Sequence, residues 1–374
     1  MTLPRLIAAL TLIFAVSLPS RVFSQTTNLN DADIASHFAP IFYQALGDKP
    51  RSDYITNFDF DGDWRGDNNW QNLANTDFPL KAYIYYSVSE TATHFFIHYA
   101  VFHPRDYKGG ERKGAILSEL IREGTKAGGK YDPTGLADEA ALAHENDMEG
   151  ALVVAKKNGK DLSDAEVVFV ETLAHNNFNR YRPGDSESGF SKVKLDGQHP
   201  LLYIEPKGHG IEAFSGDQKQ TSKKEFLRYT VGQRAEDPAA KDSVCRELET
   251  TPCEKSVSYS LLLLSTLWAK ARGEVNETYG IAYDYGDVKL STSLSGTAVS
   301  ERTFKIGQVG CAFLGSAGGI NMARPPWGWF DRDERDQPLG SWYFDPASKI
   351  KRDFKLDSGF STTYVRLPFW ASRS

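Results

Sequence analysis

The fold is constrained most by a series of short segments that are rich in β-branched and aromatic residues and bounded by Gly, Pro, Asp or Asn. Such segments are typical of β-strands. Stretches of helical composition interrupt them at irregular spacing. The sequence therefore predicts a mainly β protein with an antiparallel β-sandwich core and helical insertions. The predicted strands are Ala82–Val88, His94–Phe102, Gly150–Ala155, Glu166–Leu173, Leu201–Ile204, Tyr279–Tyr285, Arg302–Ile306 and Thr362–Leu367.

Two helical insertions are predicted within one large domain that covers residues 25–374. The first lies near residues 111–143, where segments of helical composition stand beside glycine clusters. The second lies near residues 256–272, where Leu261–Leu264, Leu267 and Trp268 would form a broad apolar surface on a helix.

Residues 1–24 have the pattern of a secretory signal peptide. Arg5 precedes the short apolar run Leu6–Leu18, and Val22 and Ser24 stand at the two positions that a signal peptidase reads. No later run is apolar and long enough to span a bilayer. The sequence therefore predicts a secreted or periplasmic protein without a transmembrane anchor after signal cleavage.

The net charge and the aromatic content indicate which classes of partner the protein could bind. A formal net charge of −6 makes nucleic acid an unsuitable partner and suits divalent cations and neutral substrates better. The chain also contains 7 Trp and 17 Tyr, which favour β-structure and are compatible with carbohydrate contact.

Three cysteines are present. Cys245 and Cys253 lie close together in a polar stretch, and in an exported protein this spacing predicts a disulfide. Cys311 lies in an apolar run and is expected to be a buried thiol.

The residues that best indicate chemistry are His144, Asp147 and Glu149, which precede the predicted strand at Gly150. Side chains two residues apart share one face of a strand, so the two carboxylates would converge. His144 is out of phase and could join them only from a preceding turn. Two carboxylates that close together repel each other unless a cation binds between them. The alternative is a polar turn that caps a strand.

A second acidic cluster could bind calcium. Carboxylates at relative positions one, three, five and nine match the spacing of short calcium-binding loops, although Trp64 replaces the usual glycine and no bidentate Glu follows. The alternatives are a solvated turn packed over two tryptophans, or a sugar-binding surface formed by Trp64 and Trp70. The residues of this possible calcium loop are Asp59, Asp61, Asp63 and Asp67.

The run from Ile97 to Asp106, together with His144–Glu149, resembles the metal-binding motif of necrosis- and ethylene-inducing-like proteins and of a related vacuolar protein sorting-associated family. The resemblance implies a divalent cation. Oxygen-rich ligands suit Mg²⁺ or Ca²⁺ first, and the single imidazole leaves Mn²⁺ or Zn²⁺ as alternatives. It departs from the family because Met148 replaces a Trp, Asn146 replaces a His, and a long stretch separates the two halves. The residues that correspond to the family's ligands are Asp106, His144, Asp147 and Glu149.

The same resemblance makes His209, in a later Gly-His turn, a further residue that lines the site. An exposed loop position is the alternative for His209. His103 is a second possible site-lining residue, and in a hydrolase either histidine could act as a general acid or base. Three functions remain open. The first is a metal-dependent module that recognises a glycan or lipid head group. The second is a metal-dependent hydrolase acting on a phosphodiester or glycosidic bond. The third is a structural or host-interaction protein without a metal.

Overall fold

A computed structural model describes residues 29–47, 49–106, 144–184, 189–221, 225–244, 253–273, 275–294, 298–316, 323–334 and 337–369. The predicted signal peptide, the whole of the predicted insertion at 111–143 and Cys245 lie outside these residues, so those predictions stay predictions. Cys311 is buried and free, as predicted. No helix in the described ranges is long and apolar enough to cross a membrane.

The described residues form seventeen strands and seven α-helices. The helices are α1 (Asp31–His37), α2 (Pro50–Asp53), α3 (Asn69–Asn72), α4 (Asp217–Thr221), α5 (Ser265–Ala271), α6 (Ser341–Phe344) and α7 (Pro346–Asp353). The strands are β1 (Ile41–Ala45), β2 (Tyr83–Thr91), β3 (His94–Asp106), β4 (His144–Lys156), β5 (Glu166–Ala174), β6 (Asn177–Pro183), β7 (Ser191–Val193), β8 (Leu195–Asp196), β9 (His199–Ile204), β10 (Ile211–Ala213), β11 (Phe226–Val231), β12 (Glu254–Leu263), β13 (Tyr279–Asp284), β14 (Asp287–Thr292), β15 (Ser300–Lys305), β16 (Gln308–Phe313) and β17 (Tyr364–Arg366).

Fifteen of the strands join one sheet, whose main path runs β10-β9-β1-β11-β12-β2-β3-β4-β5-β6-β7. The central pairs from β2 to β6 are antiparallel. Three pairs on the other side, β1 with β9, β11 with β12 and β12 with β2, are parallel. The mainly β class is confirmed. The sheet is mixed, however, where the sequence predicted an antiparallel sandwich core, because strands far apart in sequence pair in directions that local alternation does not specify.

The central strands bury both of their faces, which is why they appear in the sequence as almost continuous apolar runs. Ile97, Tyr99 and Val101 of β3 belong to a core that also contains residues of α1, β9, β11 and β12. Phe96 and Phe102 belong to a second core, which is built with the C-terminal third of the chain. His103 and Asp106, two residues of the predicted site, lie at the end of this doubly covered strand.

The predicted helix at 256–272 is wrong over its first half. Glu254–Leu263 is a strand, and the helix occupies only Ser265–Ala271. Val257 and Tyr259 are buried between exposed or half-buried serines, an alternation of period two that fits a strand. Parallel pairing with β11 on one side and β2 on the other stabilises the segment as a strand and not as a helix.

The tryptophans near the C-terminus seal the second core. Trp327 donates its Nε1 hydrogen to the carbonyl of Gly310, and Trp329 donates to the carbonyl of Met148. Trp342 donates to the buried carboxylate of Glu171. All three indole rings are buried, so this segment closes the core with aromatic side chains.

We expect Gly150→Ala to lower the free energy of unfolding by about 1–3 kcal/mol, the usual range for overpacking. A Cβ at Gly150 would lie 2.4 Å from the Trp329 ring and 2.6 Å from the carbonyl oxygen of Tyr99. Chemical denaturation would measure the loss. Gly315→Ala is the matched control, because its Cβ would meet nothing closer than 3.5 Å. Equal stabilities of the two variants would contradict the close approach of Trp329 to β4.

Candidate metal centre

The residues predicted to bind a metal meet where β3 pairs with the start of β4. Asp106 lies opposite His144 and His103 lies opposite Asp147, with Glu149 two residues further along β4. His144 Nε2 lies 3.5 Å from Asp106 Oδ2. The charges of Asp106 and Asp147 act on both His144 and Glu149. Strand pairing therefore places all four predicted ligands at one end of the β3–β4 pair, but among the described residues no three of the four have their ligand atoms within 4.8 Å of one another.

His144 joins this group from within the strand, because β4 begins at His144 itself. The predicted preceding turn is wrong, and a left-handed residue, Asn146 with φ of 60°, interrupts the alternation instead. Asn146 Oδ1 accepts a hydrogen bond from Asn69 Nδ2, and its Nδ2 donates to the carbonyls of Gly66 and Leu314. These bonds hold a backbone conformation that is uncommon for a residue with a side chain.

Glu149 is the least satisfied carboxylate of the group. Its Oε1 accepts a hydrogen bond from the His175 backbone at 3.1 Å. Its Oε2 is buried and has no hydrogen-bond partner. Burial raises the pKa of Glu149 well above its usual value, and the charges of Asp147 and Asp106 raise it further. A carboxylate in such surroundings gains from a cation, which would supply the missing partner.

His144 and His209 both hold a proton strongly. Burial alone would lower the pKa of each, but their carboxylate partners outweigh burial. The hydrogen bond and charge of Asp106 raise the pKa of His144 to about 9. The hydrogen bonds and charges of Asp147 and Asp53 raise the pKa of His209 to about 10.

His209 bridges two carboxylates inside the protein. Its Nδ1 lies 2.9 Å from Asp147 Oδ2, and its Nε2 lies 3.3 Å from Asp53 Oδ1. The side chain is fully buried, so the alternative of an exposed loop histidine is wrong. Its backbone is left-handed, with φ of 52°. Because each ring nitrogen faces a carboxylate oxygen, the doubly protonated imidazole fits this position and fixes the orientation of Asp147.

His103 stacks on His209, with ring centroids 3.7 Å apart and an interplanar angle of 7°. Gln44 Nε2 lies 3.3 Å from His103 Nε2. Burial, followed by the charge of His209, lowers the pKa of His103 well below its usual value. His103 is therefore neutral, which is the form that can bind a metal. His103 lies opposite Asp147 in the β3–β4 pair, and its role in lining a site stays a prediction.

One set of three metal-binding side chains has its ligand atoms within 4.8 Å of one another in the described part of the chain. The set is His103, Asp147 and His209, all buried. Asp147 is common to this set and to the four predicted ligands. Because both nitrogens of His209 face carboxylates, the atoms of this set that are open to a metal are those of His103 on β3 and Asp147 on β4.

Two contributors were missed by sequence reasoning. Asp53, at the end of α2, accepts hydrogen bonds from the backbones of Gly47 and Lys207 in addition to its contact with His209. Gln44 reaches His103 from β1. No local motif surrounds either residue, and only the tertiary pairing of distant segments brings them to the centre.

The possible calcium loop does not assemble a site in the described residues, where no three of its carboxylates place oxygen atoms within 4.8 Å of one another. Each carboxylate has a nearby polar partner instead, and the loop is a network of side-chain bonds. The pairs are Asp59 with Asn57, Asp61 with Asn72, Asp63 with Asn68, and Asp67 with Arg65.

Comparison with known proteins gives a partial structural likeness. No family model and no curated protein matches the chain. Similar solved structures include one described as a toxin fold for microbial attack and plant defense (14% identity, TM-score 0.29, covering 48% of this chain and 66% of that chain). NLPPya in complex with glucosamine is similar at 15% identity and a TM-score of 0.28, with the same coverage. Necrosis and Ethylene inducing Protein 2 from the causal agent of cocoa's Witches Broom disease is similar at 15% identity and a TM-score of 0.28, over 50% of this chain and 69% of that chain. The chain thus spans about two thirds of the length of the solved structures that it resembles.

Proposed function

We propose that the protein is a secreted, divalent-metal-binding β protein that recognises a glycan or lipid head group. The observation that supports metal binding is the buried Glu149 Oε2, which has no hydrogen-bond partner. The negative charges of Asp147 and Asp106 act on the same carboxyl group. A cation placed there would satisfy the oxygen and neutralise the mutual repulsion of the carboxylates.

The proposed ligands are Asp106, His144, Asp147 and Glu149, which would supply three carboxylates and one imidazole once the ion has displaced the proton that Asp106 favours on His144. Such a set suits a hard ion such as Mg²⁺ or Ca²⁺, and the imidazole also admits Mn²⁺ or Zn²⁺. His209 would not bind the ion itself. Its hydrogen bond to Asp147 would orient the carboxylate that binds the ion. The bound ion would serve as the fixed positive charge that engages hydroxyl or phosphate oxygens of a head group.

Calorimetric titration tests whether the protein binds a divalent cation. Protein stripped with a chelator is titrated with Mg²⁺, Ca²⁺, Mn²⁺ and Zn²⁺, and Glu149→Gln is titrated beside it. We expect one ion to bind the wild type and to bind Glu149→Gln about 100-fold more weakly, since a ligand is lost and the gap is filled by a neutral amide.

Glu166→Gln is the matched control, because Glu166 is an exposed carboxylate at the start of β5. This variant should bind the ion as the wild type does. Equal affinities of Glu149→Gln and the wild type, or full affinity in His144→Ala, would contradict the proposed ligand set.

A further inference from the structure

A buried cluster of charged side chains joins α7 to the sheet. Glu171 of β5, and Lys349 and Asp353 of α7, are all buried. Lys349 Nζ lies 3.5 Å from Glu171 Oε2 and also pairs with Asp353 Oδ2. Arg180 of β6 lies opposite Glu171 in the strand pairing, with its Nε 3.4 Å from Glu171 Oε1 and its Nη2 3.5 Å from Asp353 Oδ2. The two buried carboxyl groups therefore share two cations.

The rest of the cluster adds more negative than positive charge. Asp331 and Glu334 also pair with Arg180. Arg352 of α7 pairs with Glu334 and with Asp353. Among the described residues, the cluster thus brings four carboxyl groups against three cationic side chains. A buried site disfavours unbalanced negative charge, so one carboxyl group is expected to hold a proton.

Glu171 is the carboxyl group that fits this proton. The side chains of Glu171 and Asp353 lie within hydrogen-bonding reach of each other, and two carboxyl groups form a hydrogen bond only when one of them is protonated. Burial raises the pKa of Glu171 to about 7, and the charge of Asp353 supports this rise against the effect of Lys349. Burial would also raise the pKa of Asp353, but Lys349 outweighs burial and lowers it. The shared proton therefore belongs to Glu171 and is lost near neutral pH.

Glu171 also holds α6. Trp342 Nε1 donates a hydrogen bond of 2.9 Å to Glu171 Oε2. On the same helix, the carbonyl oxygen of Trp342 lies 2.6 Å from His98 Nε2, which donates to it. Burial lowers the pKa of His98 to about 4. His98 therefore does not change its charge between pH 5 and pH 8.

The cluster is separate from the proposed metal centre. Glu171 lies opposite Leu152 of β4, whose side chain belongs to the second core. Glu149 lies three residues before Leu152, and its partner on β3, Val101, belongs to the other core. Side chains three residues apart on a strand point to opposite faces. Ionisation of Glu171 therefore does not require metal binding at Glu149.

A cavity of about 520 Å³ lies between α7 and the β13–β14 hairpin. Lys349 and Arg352 line it from α7, and Tyr283 and Val288 line it from the hairpin. Its volume is within the range of small-molecule sites. Because the two cationic side chains belong to both the cavity and the cluster, a movement of α7 away from the sheet would change the shape of the cavity.

We propose that the Glu171–Asp353 pair controls the docking of α6 and α7 on the sheet through one proton, which holds the helices in place in weakly acidic solution. Loss of the proton leaves two negative charges side by side in the interior, where they repel each other. The pKa of Glu171 is higher in the folded protein than its usual 4.5. The stabilisation from Glu171 is therefore complete below pH 4.5 and is lost as the pH rises through about 7.

Hydrogen exchange of the wild-type protein at pH 5 and pH 8 tests this proposal, with each rate compared with its intrinsic rate to give a protection factor. The reporters are the amides of Lys349 and Phe354, which donate to the carbonyls of Asp345 and Ile350. We expect their protection factors to fall at least about tenfold between pH 5 and pH 8, because opening of α7 lets Glu171 ionise. Constant protection would overturn the proposal.

Two variants assign the effect to one carboxyl group. Glu171→Gln keeps the size of the side chain but cannot ionise, so its α7 amides should be equally protected at pH 5 and pH 8. Glu166→Gln changes an exposed carboxylate on the same strand and should show the decrease of the wild type. An equal decrease in Glu171→Gln and the wild type would mean that another group controls α7.

A measurement on the wild type keeps the test decisive should Glu171→Gln fail to fold. The carboxyl carbon of Glu171, observed by carbon-13 NMR, should titrate with a midpoint near pH 7. A midpoint below pH 5 would show that Glu171 is ionised in weakly acidic solution and would overturn the proposal.

Discussion

His209→Asn is expected to lower the free energy of unfolding by about 3–5 kcal/mol, the usual loss when one partner of a buried ion pair is removed. His209 is fully buried and bridges the carboxylates of Asp147 and Asp53. Without the imidazolium, both carboxylates would remain in the interior with no shared positive charge. Asparagine tolerates a positive φ better than most residues, so the loss would not arise from the backbone.

The stability that His209 contributes should depend on pH, and the pKa of His209 sets the direction of the change. The pKa of His209 is raised to about 10 from its usual 6.5. The stability that it contributes is therefore present in full below pH 6.5 and is lost as the pH rises through 10. The difference in stability between the wild type and His209→Asn should shrink between pH 7 and about pH 10.

Denaturant titration at several pH values would measure both effects. Lys207→Asn is the matched control, because Lys207 lies in the same loop with a φ of 72° but is only partly buried. This variant should change stability by less than about 1 kcal/mol. A loss in His209→Asn that is small, or constant across this pH range, would contradict the buried bridge.

The parts of the centre that are encoded locally were predictable from the sequence. Asp147 and Glu149 are two residues apart on one strand, so their convergence follows from strand geometry. The pairing of Asp106 with His144 was implied by a family resemblance, since no local rule joins residues so far apart. The role of His209 as a bridge, and the presence of Asp53, arise from the folding of a loop after β9 against α2.

The same distinction holds for the fold. Strands β2, β3 and β5 were recognisable because their composition alone favours extended structure. The first half of the 256–272 segment was misassigned, because its leucines suggested a helix while its alternating serines indicated a strand. Parallel partners on both sides of β12 decide the outcome, and a single sequence does not specify them.

Glu149→Gln should stabilise the metal-free protein by about 1–3 kcal/mol, although it removes a proposed metal ligand. Glutamine keeps a polar group in place but cannot ionise, and each unit by which the pKa of a buried carboxyl group is raised corresponds to about 1.4 kcal/mol. The pKa of Glu149 is raised well above 4.5 by burial and then by Asp147. A carboxyl group with a raised pKa lowers stability above pH 4.5, because unfolding lets it ionise, and this effect disappears below that pH.

Metal should reverse the order of the two proteins. In chelator, Glu149→Gln unfolds at the higher denaturant concentration, and the advantage is lost as the pH falls below 4.5. With the ion at 100 times its wild-type dissociation constant, the wild type gains about 2.7 kcal/mol and Glu149→Gln, which binds about 100-fold more weakly, gains about 0.4 kcal/mol. The order reverses if the advantage of Glu149→Gln in chelator is smaller than the difference, about 2.3 kcal/mol. Glu166→Gln should follow the wild type in both conditions, since its carboxylate is exposed. A Glu149→Gln protein that is less stable than the wild type in chelator would mean that Glu149 serves the fold and not an ion.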